Sequence, residues 1–131
     1  DAGDVPVGAV VVSRNHEVIG VGRNRREGGS PFAHAEIEAI TDAAKNTGDW
    51  RLTGATLYVT LEPCPMCAGA ILQTHIGEVV FGADNHRDGA LGTVSNVFAA
   101  NWKRSVSVTG GIFADKSAKL LQMAFSRARV R

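Results

Sequence analysis

Two short segments constrain this chain more than anything else in it: His34-Ala35-Glu36 and Pro63-Cys64-Pro65-Met66-Cys67. Cys64 and Cys67 are the two cysteines of the chain. Close together at the start of a predicted helix, they share one helical face and can both reach one ion. A helix N-terminus also favours the thiolate, because its free N–H groups and dipole attract negative charge. His34 comes from the start of a different predicted helix, so the fold must bring two helix N-termini together. Two thiolates and one imidazole leave a fourth position open for water, the pattern of a catalytic zinc rather than a structural one. A structural zinc would want a fourth protein ligand, a role for which His75 and His86 stay open, although His75 reads as a helix-end residue. Taken alone, the Cys-Pro-Met-Cys run also suits a redox dithiol, and His34 alone an ordinary partly buried histidine.

The surrounding pattern is that of alternating strands and helices. Val7–Val12 is apolar and β-branched, Asn15 and His16 supply a turn, and Val18–Arg23 completes a hairpin. A polar, glycine-rich loop follows, Asn24–Ser30. Pro31 suits a helix start with Ser30 as its cap, and Ala33, Ile37, Ile40 and Ala44 keep helical spacing as far as Thr47. Gly48 ends that helix. Thr56–Leu61 reads as a strand, Pro63 opens a second helix running to about Thr74, and Glu78–Ala83 is a third long strand. After a loop rich in Asp, Asn and Gly (Asp84–Thr93), the pattern predicts a short helix over Val94–Ala100, a strand over Arg104–Thr109 and a last helix over Asp115–Arg129. This order implies one α/β domain spanning residues 1–131, a layered sheet with helices packed on it.

Net charge is only +1, but Lys103–Arg131 holds seven basic residues against one acidic residue, Asp115. A basic end suits phosphate contact; equally, it suits a solvated final helical turn whose cations complement the helix dipole. No run is apolar enough to span a membrane and nothing resembles a secretory signal, which points to the cytoplasm, where thiolates stay reduced.

Glu36 lies two residues after His34. It is a poor fourth ligand but well placed to move protons between the attacking water, a ring nitrogen and a leaving amine. The combination H-x-E with P-C-x-x-C is the recognised signature of zinc deaminases acting on nucleobases. Beyond it, Val5–Val12, Ala33–Ile37, Gly54–Cys64, Met66–Ala70, Ile76-Gly77 and Val79–Ala83 carry a resemblance over nearly the whole chain. The chain resembles the bacterial tRNA-specific adenosine deaminases of the cytidine deaminase-like superfamily.

That resemblance implies a three-layer α/β fold with a five-stranded mixed sheet between helices, and a homodimer with the pocket near the subunit interface. It implies Zn2+ on His34, Cys64 and Cys67, with Glu36 as the proton shuttle and water as the nucleophile. The substrate it implies is the adenosine at the wobble position of a tRNA anticodon stem-loop, converted to inosine after the base turns out of the loop. Asn24 would contact the target nucleoside, the backbone near Ala35 would help hold the base, and Pro63 would pack around the metal loop. The Asp84–Ala90 loop, including Asn85, and the last helix, including Phe125 and Arg127, match regions that touch the RNA strand. Stacking and Arg–phosphate contacts suit such a splayed loop, while Phe125 equally suits a plain core position.

Several departures stand out. The segment between Asn24 and His34 is slightly short, and Phe32 replaces a small polar residue. Asn85 stands where the family usually has aspartate, a change expected to relax discrimination against DNA. The family's leading helix is absent from the start of the chain, for which truncation is the simpler expectation. Three alternatives remain open: a deaminase of a free base such as guanine or cytosine, a DNA-tolerant adenine deaminase, and a non-catalytic zinc-stabilised binding module.

Overall fold

The structure, a computed structural model, describes residues 7–24 and 30–112. Strand β1 (Gly8–Val12) pairs antiparallel with β2 (Val18–Arg23) on one side and with β3 (Thr56–Leu61) on the other. β3 and β4 (Glu78–Ala83) run parallel, as do β4 and β5 (Ser107–Thr109). The result is a five-stranded mixed sheet, as the resemblance implied, and its strand order is β2-β1-β3-β4-β5. Helix α1 (Ala35–Thr47) connects β2 to β3, and helix α2 (Pro65–Gln73) makes the crossover between the parallel strands β3 and β4. Among the described residues no helix is long and apolar enough to cross a membrane.

The period-two alternation of the strands decides which side chains meet the helices. Ala9 and Val11 of β1, Leu57 and Val59 of β3, and Val79 and Phe81 of β4 pack with Ala39, Ile40 and Ala43 of α1 and with Ala68 and Ile71 of α2 in one buried cluster. Both helices therefore lie on the same face of the sheet. The opposite face carries Val10, with Val12, Val18 and Val21 against it. The helix expected over Asp115–Arg129, with Phe125 and Arg127, lies outside the described residues.

Strand β2 is an edge strand, and α1 covers its open side. The Asp42 carboxylate accepts from the Val21 N–H at 3.0 Å, and the Asn46 amide donates to the Ile19 carbonyl at 2.9 Å. Such cover protects an edge from pairing with another chain. The register shifts between Val11 and Val12, leaving Ile19 as the extra residue of a bulge. The helix sits so close that a Cβ on Gly22 would overlap the Ala35 carbonyl oxygen and the Ala39 nitrogen, and one on Gly20 would overlap Ala39 and Ala43. The small faces of β2 and α1 thus set the depth at which α1 lies.

Gly22→Ala is accordingly expected to push the first turn of α1 off the sheet. Overpacking of this kind costs about 1–3 kcal/mol, so calorimetry should record a melting temperature lower by roughly 5–15 °C. A melting temperature within about 2 °C of wild type would show that α1 can shift at little cost.

The helix starts differ from expectation. Pro31 and Phe32 lie in a turn in which the Ser30 hydroxyl accepts from the Phe32 N–H at 3.2 Å. The helix begins only at Ala35, with His34 as N-cap in extended geometry (φ −75, ψ 153). Likewise Pro63 precedes α2; Cys64 is the N-cap and Pro65 occupies the first turn. In both places a proline marks the approach to a helix, but His34 and Cys64 themselves take the non-helical cap positions. Strand β5 is also shorter than the Arg104–Thr109 pattern predicts. The Arg104 guanidinium reaches instead to the Leu72 carbonyl at 3.0 Å, near the end of α2.

Candidate metal centre and active site

The two helix N-termini meet at the C-terminal end of β3. His34 Nδ1 lies 3.6 Å from Cys64 Sγ and 3.5 Å from Cys67 Sγ. Tetrahedral zinc with ordinary Zn–S and Zn–N bonds would set such pairs about 3.6 Å apart. The residues present therefore fit a zinc ion in both donor type and spacing. Among the described residues, these three form the one cluster of His, Cys, Asp or Glu side chains close enough to share an ion, and neither His75 nor His86 joins it. His75 takes a left-handed conformation (φ 63) just beyond α2, with its ring against Trp50. Three protein ligands leave room for water, as a catalytic site requires.

The thiols are free, with Cys67 fully buried and Cys64 partly so. Hydrogen bonding from the Cys67 thiol, the Cys67 and Met66 N–H groups at the start of α2 and the nearby His34 charge outweigh burial and hold Cys64 down at about 5. The bond from the Cys67 thiol is the largest of these causes, and the N–H groups add the helix-terminus effect that favours a thiolate. The shared proton and burial push the Cys67 thiol the other way.

Glu36 lies in the first turn of α1 and is 5% exposed. Burial raises its carboxyl to about 7, against the lowering effect of its own backbone N–H and of the Cys67 thiol. A carboxyl poised near neutrality suits a group that both takes and gives a proton.

A cavity of about 230 Å³ opens beside this cluster. It lies just below the usual range for sites that hold drug-sized ligands, about 300–1,000 Å³, which suits a single base. Of the residues picked out from sequence, Asn24, His34, Ala35, Glu36, Cys64 and Asn85 line it. Pro63 and Cys67 do not line it; both are buried behind it. Pro63 serves through its carbonyl, which accepts from the Ala90 N–H at 2.9 Å. Phe125 and Arg127 lie outside the described residues. Asn85 is engaged within its own loop: its Oδ1 accepts from the Arg87 and Asp88 N–H groups at 3.2 and 3.0 Å, and its Nδ2 donates to the Glu62 carbonyl at 3.4 Å.

Sequence reasoning missed Glu62, which also lines the cavity. Burial would raise its carboxyl, but bonds from the Thr93 hydroxyl and from the Leu91, Thr93 and Asn85 N–H groups outweigh that and hold it below the usual carboxylate range. An acidic residue between an apolar strand and Pro-Cys was the available signal, because a charge at a buried strand end requires partners.

Known proteins resemble this chain in sequence and fold. The cytidine and deoxycytidylate deaminase zinc-binding region matches residues 1–83. A tRNA(Ile)-lysidine synthase of Deinococcus radiodurans is 47% identical over 98% of this chain, which spans only 22% of that protein's length. A tRNA-specific adenosine deaminase of Haemophilus influenzae is 43% identical over 97% of this chain and 75% of its own. A solved structure from work on A-to-I editing by tRNA:A34 deaminases at the wobble position of transfer RNA superposes with a TM-score of 0.77 at 38% identity, covering 88% of this chain and 84% of that one. By its zinc-binding region, its sheet and its near full-length similarity to the Haemophilus enzyme, the chain belongs to the cytidine and deoxycytidylate deaminase family, in the branch of the tRNA-specific adenosine deaminases.

Proposed function

We propose that this domain deaminates adenosine to inosine hydrolytically, at the wobble position of a tRNA anticodon stem-loop. The observation that carries the reading is the burial of Glu36 beside the His34, Cys64 and Cys67 donors at the wall of a base-sized cavity. A structural zinc site has no use for an acid/base group there, and three protein ligands leave a position open.

His34, Cys64 and Cys67 hold the ion in this reading. Bound zinc supplies Lewis acidity, which makes water nucleophilic near neutral pH. Glu36 takes the proton from the attacking water and delivers it to the ring nitrogen of adenine, so that the amine-bearing carbon becomes more electrophilic. The water oxygen bonds to that carbon; Glu36 then takes the second proton from this oxygen and gives it to the amine, so that the C–N bond breaks, the C=O bond forms and ammonia leaves. Asn24 and the backbone at Ala35 hold the nucleoside, while Pro63 supports the metal loop. Phe125 and Arg127 serve the RNA strand by stacking and phosphate contact. The domain works as a homodimer in the cytoplasm.

Ammonia release by zinc-loaded protein tests the proposal, with an adenosine-containing anticodon stem-loop, its deoxy counterpart, free adenosine, guanine and cytosine as substrates. Turnover confined to the stem-loop is expected. Turnover only on a free base would overturn the tRNA assignment and leave the chemistry standing.

Asn85 extends the reading to DNA tolerance. A neutral amide leaves one negative charge fewer at the cavity rim, and aspartate could not donate to the Glu62 carbonyl as Asn85 does. Aspartate would also gain a charged acceptor for a ribose 2′-OH. Asn85→Asp is therefore expected to raise the ratio of RNA to DNA turnover about tenfold, the scale of one hydrogen bond to a charged group. An unchanged ratio would remove Asn85 from substrate discrimination.

A further inference from the structure

Glu62 is 1% exposed, yet it is a carboxylate facing donors only. One oxygen accepts from the Asn85 N–H at 3.2 Å and from the Thr93 hydroxyl; the other accepts from the Leu91 N–H at 2.9 Å and the Thr93 N–H at 3.2 Å. Two backbone carbonyls add to the join, since that of Glu62 accepts from Asn85 Nδ2 and that of Pro63 from the Ala90 N–H. The loop is shaped to its anchor. A Cβ on Gly89 would lie 2.6 Å from the Glu62 carboxyl carbon and 2.5 Å from the Asn85 carbonyl oxygen, so only glycine lets the loop close around the carboxylate. The same loop supplies Asn85, Arg87 and Asp88 to the cavity, while Cys64 follows two positions after Glu62.

We propose that Glu62 is a positioning residue: its carboxylate clamps the 85–93 loop onto the Glu62–Cys64 segment and so sets the width of the base pocket. This deepens the adenosine-deaminase reading and rests on it. Glutamine replaces the carboxylate poorly: turned one way its NH2 group faces the Leu91 and Thr93 N–H groups, and turned the other way it faces the Asn85 N–H, with only the Thr93 hydroxyl able to accept from it. Charge-assisted acceptance of several N–H groups is also stronger than neutral acceptance. Loosening the clamp frees the pocket wall but leaves Glu36 and the metal donors in place, so the defect falls on binding rather than on the chemical step.

The test combines amide hydrogen exchange with stem-loop kinetics on zinc-loaded wild type, Glu62→Gln and Gly89→Ala. In both variants the Leu91 and Thr93 amides are expected to exchange about tenfold faster, with Leu57 and Ile71 exchange and zinc content unchanged. KM is expected to rise about tenfold and kcat to stay within about threefold. Unchanged loop exchange would overturn the proposal. So would faster exchange spread over Leu57 and Ile71 with KM unaltered, which is the mark of a merely structural role. If wild type deaminated no base, the adenosine reading would fall, and the exchange data alone would decide whether the clamp exists.

Discussion

Glu36→Gln is expected to fold, bind zinc at the wild-type ratio and deaminate about a thousandfold more slowly, within the range of about 10²–10⁴ for loss of a general acid–base group. The substitution keeps the shape of a side chain that is 5% exposed, so packing around it should hold. It removes the one property the chemistry needs, since an amide neither accepts the water's proton nor returns one to the leaving amine. Stability should not fall, because burial already disfavours the charged carboxylate and a neutral amide escapes that penalty. The measurements are ammonia release under single-turnover conditions, zinc content by atomic emission, and thermal melting. Activity above about a tenth of wild type, with zinc retained, would mean that another group moves the protons.

Cys67→Ala is expected to lose both metal and turnover. Cys67 is fully buried in the first turn of α2, and its sulfur approaches His34 Nδ1 at 3.5 Å. Without it only His34 and Cys64 remain, and two ligands cannot complete a tetrahedral site with strong affinity. Zinc should fall below about a tenth of an equivalent, since affinity rests on the full ligand set. An ion held by His34, Cys64 and Cys67 would tie the starts of α1 and α2 together, so removing it by chelator from wild type should lower the melting temperature, and readdition should restore it. Cys67→Ala should show neither response. A variant that kept a full equivalent of zinc would remove Cys67 from the ligand set. The redox alternative makes the opposite forecast: chelation would leave it untouched, and reductant would be needed for activity.

Much of the fold is legible in the amino-acid sequence. The strands Thr56–Leu61 and Glu78–Ala83 follow from β-branched apolar runs bounded by turn residues, and the hairpin follows from the Asn15-His16 turn. The donors His34, Cys64 and Cys67 were readable because metal chemistry needs few residue types at restricted spacings. Helix starts were less legible. Pro31 and Pro63 both suit a first helical residue, and nothing local shows that His34 and Cys64 take the cap positions instead. Extended geometry at His34 goes with a ring that reaches sulfurs supplied by another helix.

Taken alone, then, the sequence singled out the candidate reactive groups and most of the elements, because side-chain chemistry and hydrophobic period are local properties. Tertiary structure decided how deep α1 lies on Gly20 and Gly22, how the loop after β4 closes on Glu62, and which neighbours raise Glu36. Those depend on distances between segments remote in the chain. Burial, close backbone approach and the pairing of a charge arise only when the path of the whole chain brings such segments together.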